Sequence, residues 1–168
     1  MSDIQKKNEF TDLIEQNQGI VHKVCRMYTQ DAMAHDDLFQ EIVLQLWRSY
    51  DSFKGDSKFS TWMYRVGINT AITFYRKKKN RPEYQSIELQ HFRIAHQEQD
   101  ENLEYRMQML HKAIEQLNDV ERALTLLYLE DLPYNEIADT MGITAVNARV
   151  KMNRIKKKLK DILTPHIA

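Results

Sequence analysis

The stretch Glu136-Ile137-Ala138-Asp139-Thr140-Met141-Gly142-Ile143-Thr144, followed at once by the basic segment Ala145 to Lys160, decides how the chain folds. Small Ala138 lets two helices cross closely, Gly142 supplies a left-handed turn, and Ile143 packs beneath it, which is the layout of a helix-turn-helix. Pro133 opens the preceding short helix (Tyr134, Ile137, Ala138, Met141), and Gly142 closes it as a C-terminal cap residue. Thr144 is a fitting N-cap for the last helix. On that helix Ala148, Met152, Ile155 and Leu159 share one face, leaving Asn147, Arg149, Val150, Asn153 and Arg154 outward. Such a face fits the major groove, where Arg can read guanine, Asn can read adenine and Val can touch a thymine methyl. The competing reading, a solvated basic helix that touches no nucleic acid, is disfavoured by the turn in front of it. The motif is specified; the base sequence it reads is not.

Charge is distributed as the motif requires. The net charge is zero, from 24 Lys plus Arg and 24 Asp plus Glu. Between Ala145 and Lys160 there are seven basic residues and no acidic one, and Arg76-Lys77-Lys78-Lys79 makes a second basic run. The stretch from Arg81 to Asn118 holds four basic and seven acidic residues. The chain is therefore basic, then acidic, then basic.

Upstream of the motif, Leu103, Met107, Leu110, Ile114 and Leu117 form a heptad-like stripe, and Val120, Ala123, Leu124, Leu127 and Tyr128 form another helix. The run of Gln, His, Glu and Asp around Arg81-Pro82 lacks sustained periodicity and reads as a mobile connector. In the first half, Phe10, Leu13, Ile14, Val21, Val24, Cys25 and Tyr28 recur at helical spacing, as one long helix or two short ones divided near Gly19. Leu38, Phe39, Ile42, Val43, Leu46, Trp47 and Tyr50 form a second stripe, with Asp36 and Asp37 at its favoured acidic start. A loop around Gly55 precedes a third helix carrying Phe59, Trp62, Met63, Val66 and Phe74. Three facing stripes make a small first domain. Only 4 Gly and 3 Pro occur, too little turn chemistry for a sheet-rich sandwich or barrel, so the expected class is all-α. A lone cysteine, Cys25, and the lack of a signal pattern or long apolar run point to a reducing, cytoplasmic setting.

In the first module Tyr50, Phe53, Phe59, Trp62, Tyr64, Phe74 and Tyr75 interleave with Arg48, Lys54, Lys58, Arg65 and Arg76. Aromatic faces stack unpaired bases while cations follow phosphates, the chemistry of single-strand binding. From spacing alone most of these aromatics are simply core, and base contact stays open.

The runs Asp36-Asp37-Leu38-Phe39-Gln40-Glu41 and Tyr50 to Ala71 (YDSFKGDSKFSTWMYRVGINTA) resemble region two of bacterial sigma factors of the extracytoplasmic-function type, within the sigma-70 family. The terminal helix-turn-helix resembles their region four, and the two occur in family order. The resemblance implies two small helical domains, residues 1–80 and 102–168, joined by a flexible linker at 81–101. It implies that Asp37, Gln40 and Glu41 face the clamp helices of core RNA polymerase. Phe53, Lys54, Gly55, Ser57, Lys58, Phe59, Arg65 and Asn69 would then serve the melted minus-ten element, the Phe53 to Phe59 loop and Asn69 holding a flipped base. Flipping a base costs a few kcal/mol of unstacking, which a polar pocket with aromatic walls can return. Thr144, Asn147, Arg149, Val150, Asn153 and Arg154 would serve the minus-thirty-five duplex, and an anti-sigma protein becomes an expected partner alongside promoter DNA and the polymerase flap. Where family members commonly show Thr-Val-Lys-Ser-Arg, this chain has Asn147-Ala148-Arg149-Val150-Lys151, so their preferred bases do not transfer.

No cofactor, Gly-rich phosphate loop or set of nucleophile, base and orienter can be named, so no enzymatic activity is expected. His35, Asp36, Asp37 and Glu41 lack a second ligand cluster at metal spacing and read as helix capping and partner contact. The alternative reading is an autonomous, dimeric helix-turn-helix regulator whose first module dimerises or senses.

Overall fold

The computed structural model describes residues 2–79 and 101–167; the linker expected at 81–101 lies outside the described residues except for Glu101. The chain divides into two compact units, residues 1–92 and 93–168. Among the described residues all regular structure is helical.

The first unit is a bundle of α1 (Asp3–Tyr28), α2 (Ala32–Ser49) and α3 (Phe59–Lys79), with a 3-10 turn at Tyr50–Ser52 between the last two. All three helices pack against one another. Helix α1 is continuous through Gly19 and begins in a capping box in which Ser2 and Gln5 satisfy each other's backbone N–H groups. Helix α2 starts further upstream than its charge pattern suggests. Asp31 is the N-cap, its carboxylate accepting from the Ala34 N–H at 2.8 Å, and no acidic residue lies in the first turn. Asp36 and Asp37 sit in the second turn, where the helix-end field has already fallen off.

The core of this bundle is built from Phe10, Ile14, Val21, Val24, Cys25 and Tyr28 of α1, Leu38, Ile42 and Leu46 of α2, and Trp62, Met63, Tyr64, Ile68 and Ala71 of α3. The stripes read on α1 and α2 converge here, whereas of the stripe read on α3 only Trp62 and Met63 are buried, Phe59, Val66 and Phe74 being half-buried and Tyr64, Ile68 and Ala71 completing the core face. His22 of α1 reaches His35 of α2, Nδ1 to Nε2 at 2.9 Å, and its ring stacks on Phe39 at 4.7 Å between centroids. Burial pushes the Cys25 thiol up to about 12, so it stays protonated and packs as a small apolar group.

The second unit contains α4 (Glu101–Glu115), α5 (Asp119–Leu129), α6 (Tyr134–Met141) and α7 (Ala145–Ile167). Helix α7 contacts each of the other three. A capping box of Asn118 and Glu121 starts α5, and Glu121 also pairs with Lys158 of α7 at 3.1 Å. The buried guanidinium of Arg122 donates to the carbonyls of Glu115 and Leu117 at 2.7 and 3.2 Å, closing the exposed end of α4 with charge-assisted bonds.

Two expected stripes are only partly buried. In α4, Ala113 and Ile114 enter the core with Leu117 just beyond the helix, whereas Leu103 and Met107 remain 51% and 48% exposed. In α5, Val120 and Tyr128 face outward while Arg122 and Thr125 are buried.

Candidate nucleic-acid and polymerase interface

Gly142 has φ 68° and ψ 35°, the left-handed conformation the turn requires. The Ile143 N–H donates to the Ala138 carbonyl at 3.1 Å, and the Gly142 N–H bonds to the same carbonyl, which tightens the end of α6. The chain then re-enters a helix at Thr144, whose hydroxyl accepts from the Asn147 N–H at 3.1 Å. Thr144 is thus committed to capping, and the helix it caps presents the reading face.

On α7, Ala148, Met152 and Ile155 are buried against the unit. Asn147, Arg149, Val150, Asn153 and Arg154 are all exposed, and at 3.6 residues per turn they span an arc of about 160° opposite the buried stripe. Val146, 73% exposed, falls in the middle of this arc, as does Lys157. Neither was singled out by the motif; projecting one turn back from Val150 and one turn on from Asn153 would have found them. The Arg149 guanidinium carbon lies 5.2 Å from the centroid of the Tyr134 ring. Arg154 continues into a shallow cleft lined by Gln116, Lys157, Lys158, Asp161 and Ile162. A convex helix face with arginines toward its edges and Val146, Val150 and Lys157 between them matches a groove floored by base edges and walled by phosphates.

In the first unit the Phe53 to Phe59 loop is folded on its own aromatics. Phe53, Phe59 and Trp62 form a triangle with ring centroids 5.2 to 5.5 Å apart. Trp62 is buried, Phe53 and Phe59 are half-buried, and Lys54, Gly55, Asp56 and Lys58 are exposed between them, with Ser57 half-buried. Gly55, at φ 78°, makes the turn. The loop is anchored from α1: Phe10 packs edge-on against Trp47 and Tyr50 at 5.0 and 5.3 Å, and Lys6 binds Asp51 at 2.7 Å. Arg65 and Asn69 lie one turn apart on the exposed side of α3, with Arg76 two turns further on. Tyr64, by contrast, is core, and so offers no face to a base.

Asp37, Gln40 and Glu41 occupy adjacent positions on the outer side of α2, opposite Leu38, Ile42 and Leu46. Glu41 accepts from Gln45 at 3.0 Å. Met33 and Leu44, 78% and 40% exposed, fall on the same side and add an apolar margin that the acidic motif did not signal.

A compact three-helix bundle with an aromatic and basic loop, followed by a unit built around a helix-turn-helix, defines a two-module helix-turn-helix protein. The family Sigma-70 region 2 matches residues 13–81, and Sigma-70, region 4 matches residues 107–159. The ECF RNA polymerase sigma-E factor of Escherichia coli (strain K12) is 31% identical over 159 residues, covering 87% of this chain and 83% of that protein. The sigma-E factor of Haemophilus influenzae is 28% identical over 172 residues, covering 95% and 89%. The chain belongs to the ECF family of sigma-70 RNA polymerase sigma factors.

Two solved structures share the fold. The sigma factor RpoE from Bartonella quintana, in a complex with the anti-sigma factor NepR, has a TM-score of 0.72 at 18% identity, covering 93% of this chain and 97% of that one. CnrH, in a complex with the cytosolic domain of CnrY, has a TM-score of 0.68 at 18% identity, covering 95% and 90%. No helix among the described residues is long and apolar enough to cross a membrane.

Proposed function

We propose that this chain gives core RNA polymerase its choice of promoter by holding one DNA in two physical states. Asn147, Arg149, Val150, Asn153 and Arg154 read the upstream element as paired duplex, with Thr144 setting the start of their helix. The Phe53 to Phe59 loop, including Lys54, Gly55, Ser57 and Lys58, together with Arg65 and Asn69, captures exposed minus-ten bases. Asp37, Gln40 and Glu41 dock on the clamp helices of the largest polymerase subunit. The chain acts by binding, without chemistry of its own, in the cytoplasm, and an anti-sigma protein restrains it.

The observation that carries this reading is the separation of roles on α7: a buried apolar stripe and, opposite it, an arc of Arg, Asn and Val side chains exposed to solvent. That arc holds the donors and the apolar contact that major-groove edges recognise. The half-exposed Phe53 and Phe59 rings flanked by lysines support the second role, since stacking and phosphate contact are what unpaired bases demand.

Run-off transcription with purified core polymerase and a library of genomic promoters tests the proposal. Start-site selectivity that appears only when this chain is added is the expected result. A stable dimer that binds its target duplex at nanomolar affinity without polymerase would instead support an autonomous regulator.

A further inference from the structure

We propose that Tyr134 is a positioning residue for duplex readout, its ring holding the Arg149 guanidinium in the plane from which it meets a base edge; this rests on the role proposed for Arg149. Tyr134 is the first residue of α6, rooted beside Pro133, and it is half-buried rather than part of the core. Arg149 stands in the second turn of α7, 5.2 Å from that ring, inside the ~6 Å range in which a cation is held by an aromatic face. Among the described residues the ring is the one side-chain partner of Arg149.

The contact suits readout for a chemical reason. Guanidinium is planar, so resting over a ring leaves its in-plane N–H donors free for the O6 and N7 acceptors of guanine. An unsupported arginine has to surrender its rotamer freedom on binding, whereas one already seated has lost part of it. Lys156, seven residues after Arg149 and hence on nearly the same side of α7, lies 4.2 Å from the Tyr128 ring. Hydrogen bonding to the Tyr128 hydroxyl, and more weakly to that of Tyr134, favours its charged form. Arg149 and Lys156 thus each meet a tyrosine ring of the unit, Tyr134 and Tyr128, along nearly the same side of the reading helix.

The experiment uses holoenzyme reconstituted from core polymerase and the full chain, with promoters randomised across the upstream element and sequenced after transcription. Arg149→Ala first identifies the base pair whose preference depends on Arg149. Tyr134→Leu keeps apolar bulk but removes the ring, and is expected to reduce preference at that pair alone by roughly two- to fivefold, the worth of an exposed cation–π contact. Tyr134→Phe keeps the ring and is expected to retain the preference. Tyr134→Leu added to Arg149→Ala is expected to change nothing further. Thermal melting of each variant checks folding, and Tyr134→Met replaces the leucine variant if that one melts early. A Tyr134→Leu holoenzyme with undiminished preference at the Arg149 pair, or with an even loss at every position, overturns the inference while leaving the Arg149 reading intact. If Arg149→Ala alters no position, the reading of Arg149 itself has failed and the inference falls with it.

Discussion

Gly67 sits buried in the middle of α3, where that helix faces both α1 and α2. A glycine at such a position suggests a bare backbone needed for close packing, but the distances say otherwise. A Cβ built on Gly67 would lie 3.5 Å from the Val24 Cγ2 and 3.7 Å from the Ile42 Cγ2, which is ordinary van der Waals contact. Gly67→Ala should therefore stabilise the bundle. Helix propensity contributes about 0.8–1.0 kcal/mol, and burying one methyl adds up to about 0.8 kcal/mol. The expected gain is about 1–2 kcal/mol, and in a domain of this size each kcal/mol raises the melting temperature by roughly 4–8 °C. Denaturant unfolding of the full chain, with native-state hydrogen exchange of the α3 amides to localise the change, measures it. A loss of stability larger than ~0.5 kcal/mol would overturn this expectation, because it would mean that the Val24 and Ile42 methyls do not leave the added methyl at ordinary contact distance.

Gly142→Ala is expected to behave oppositely: no atom lies within 4 Å of its added Cβ, but φ of 68° costs a residue with a side chain about 1–2 kcal/mol, read as a lower melting temperature of the helix-turn-helix unit. Arg149→Ala should cost about 1–3 kcal/mol of upstream-element binding, while Asn69→Ala should lower open-complex formation and leave that binding unchanged; equal loss at both steps would argue against separate roles for the two units. Burial, and then His22 and Arg26 against the opposing pull of Asp36, holds His35 below its ordinary 6.5. The folded state thus takes up its proton less readily than the unfolded one, so the contribution is complete above pH 6.5 and is lost as the pH falls through the lowered value; His35→Gln should flatten the stability curve in that window. Cys25, fully buried with its thiol raised to about 12, should resist alkylation at neutral pH and react only at the rate of opening, so labelling that is fast in the native protein would contradict its placement.

Much of the fold was legible because helices write their packing faces at a local spacing. The stripes Phe10 to Tyr28, Leu38 to Leu46 and Ala148 to Ile155 face inward as read, with Leu13, Phe39 and Val43 half-buried at their margins, since any helix with one apolar face must turn it inward. The turn at Gly142 was equally legible, because a left-handed residue between two helices has few substitutes. The same local logic misplaced the start of α2, where the cap is Asp31 and not the Asp36-Asp37 pair: charge marks the neighbourhood of a helix end, but only a side chain bonded to a free N–H fixes it.

What the sequence alone determined is the set of elements, the sign of each face and the family. Which parts of a stripe find a partner was decided in three dimensions. Leu103 and Met107 share a spacing with Ile114 yet stay in water, because burial depends on which neighbour is there and not on period. Arg122, a charge within an apolar run, is buried because two carbonyls at the end of α4 converge on it from outside its own helix. The seating of Arg149 on Tyr134, 15 positions earlier in the chain, follows from how α6 and α7 cross. Periodicity is a property of one helix; such contacts belong to two, and only packing brings them within range.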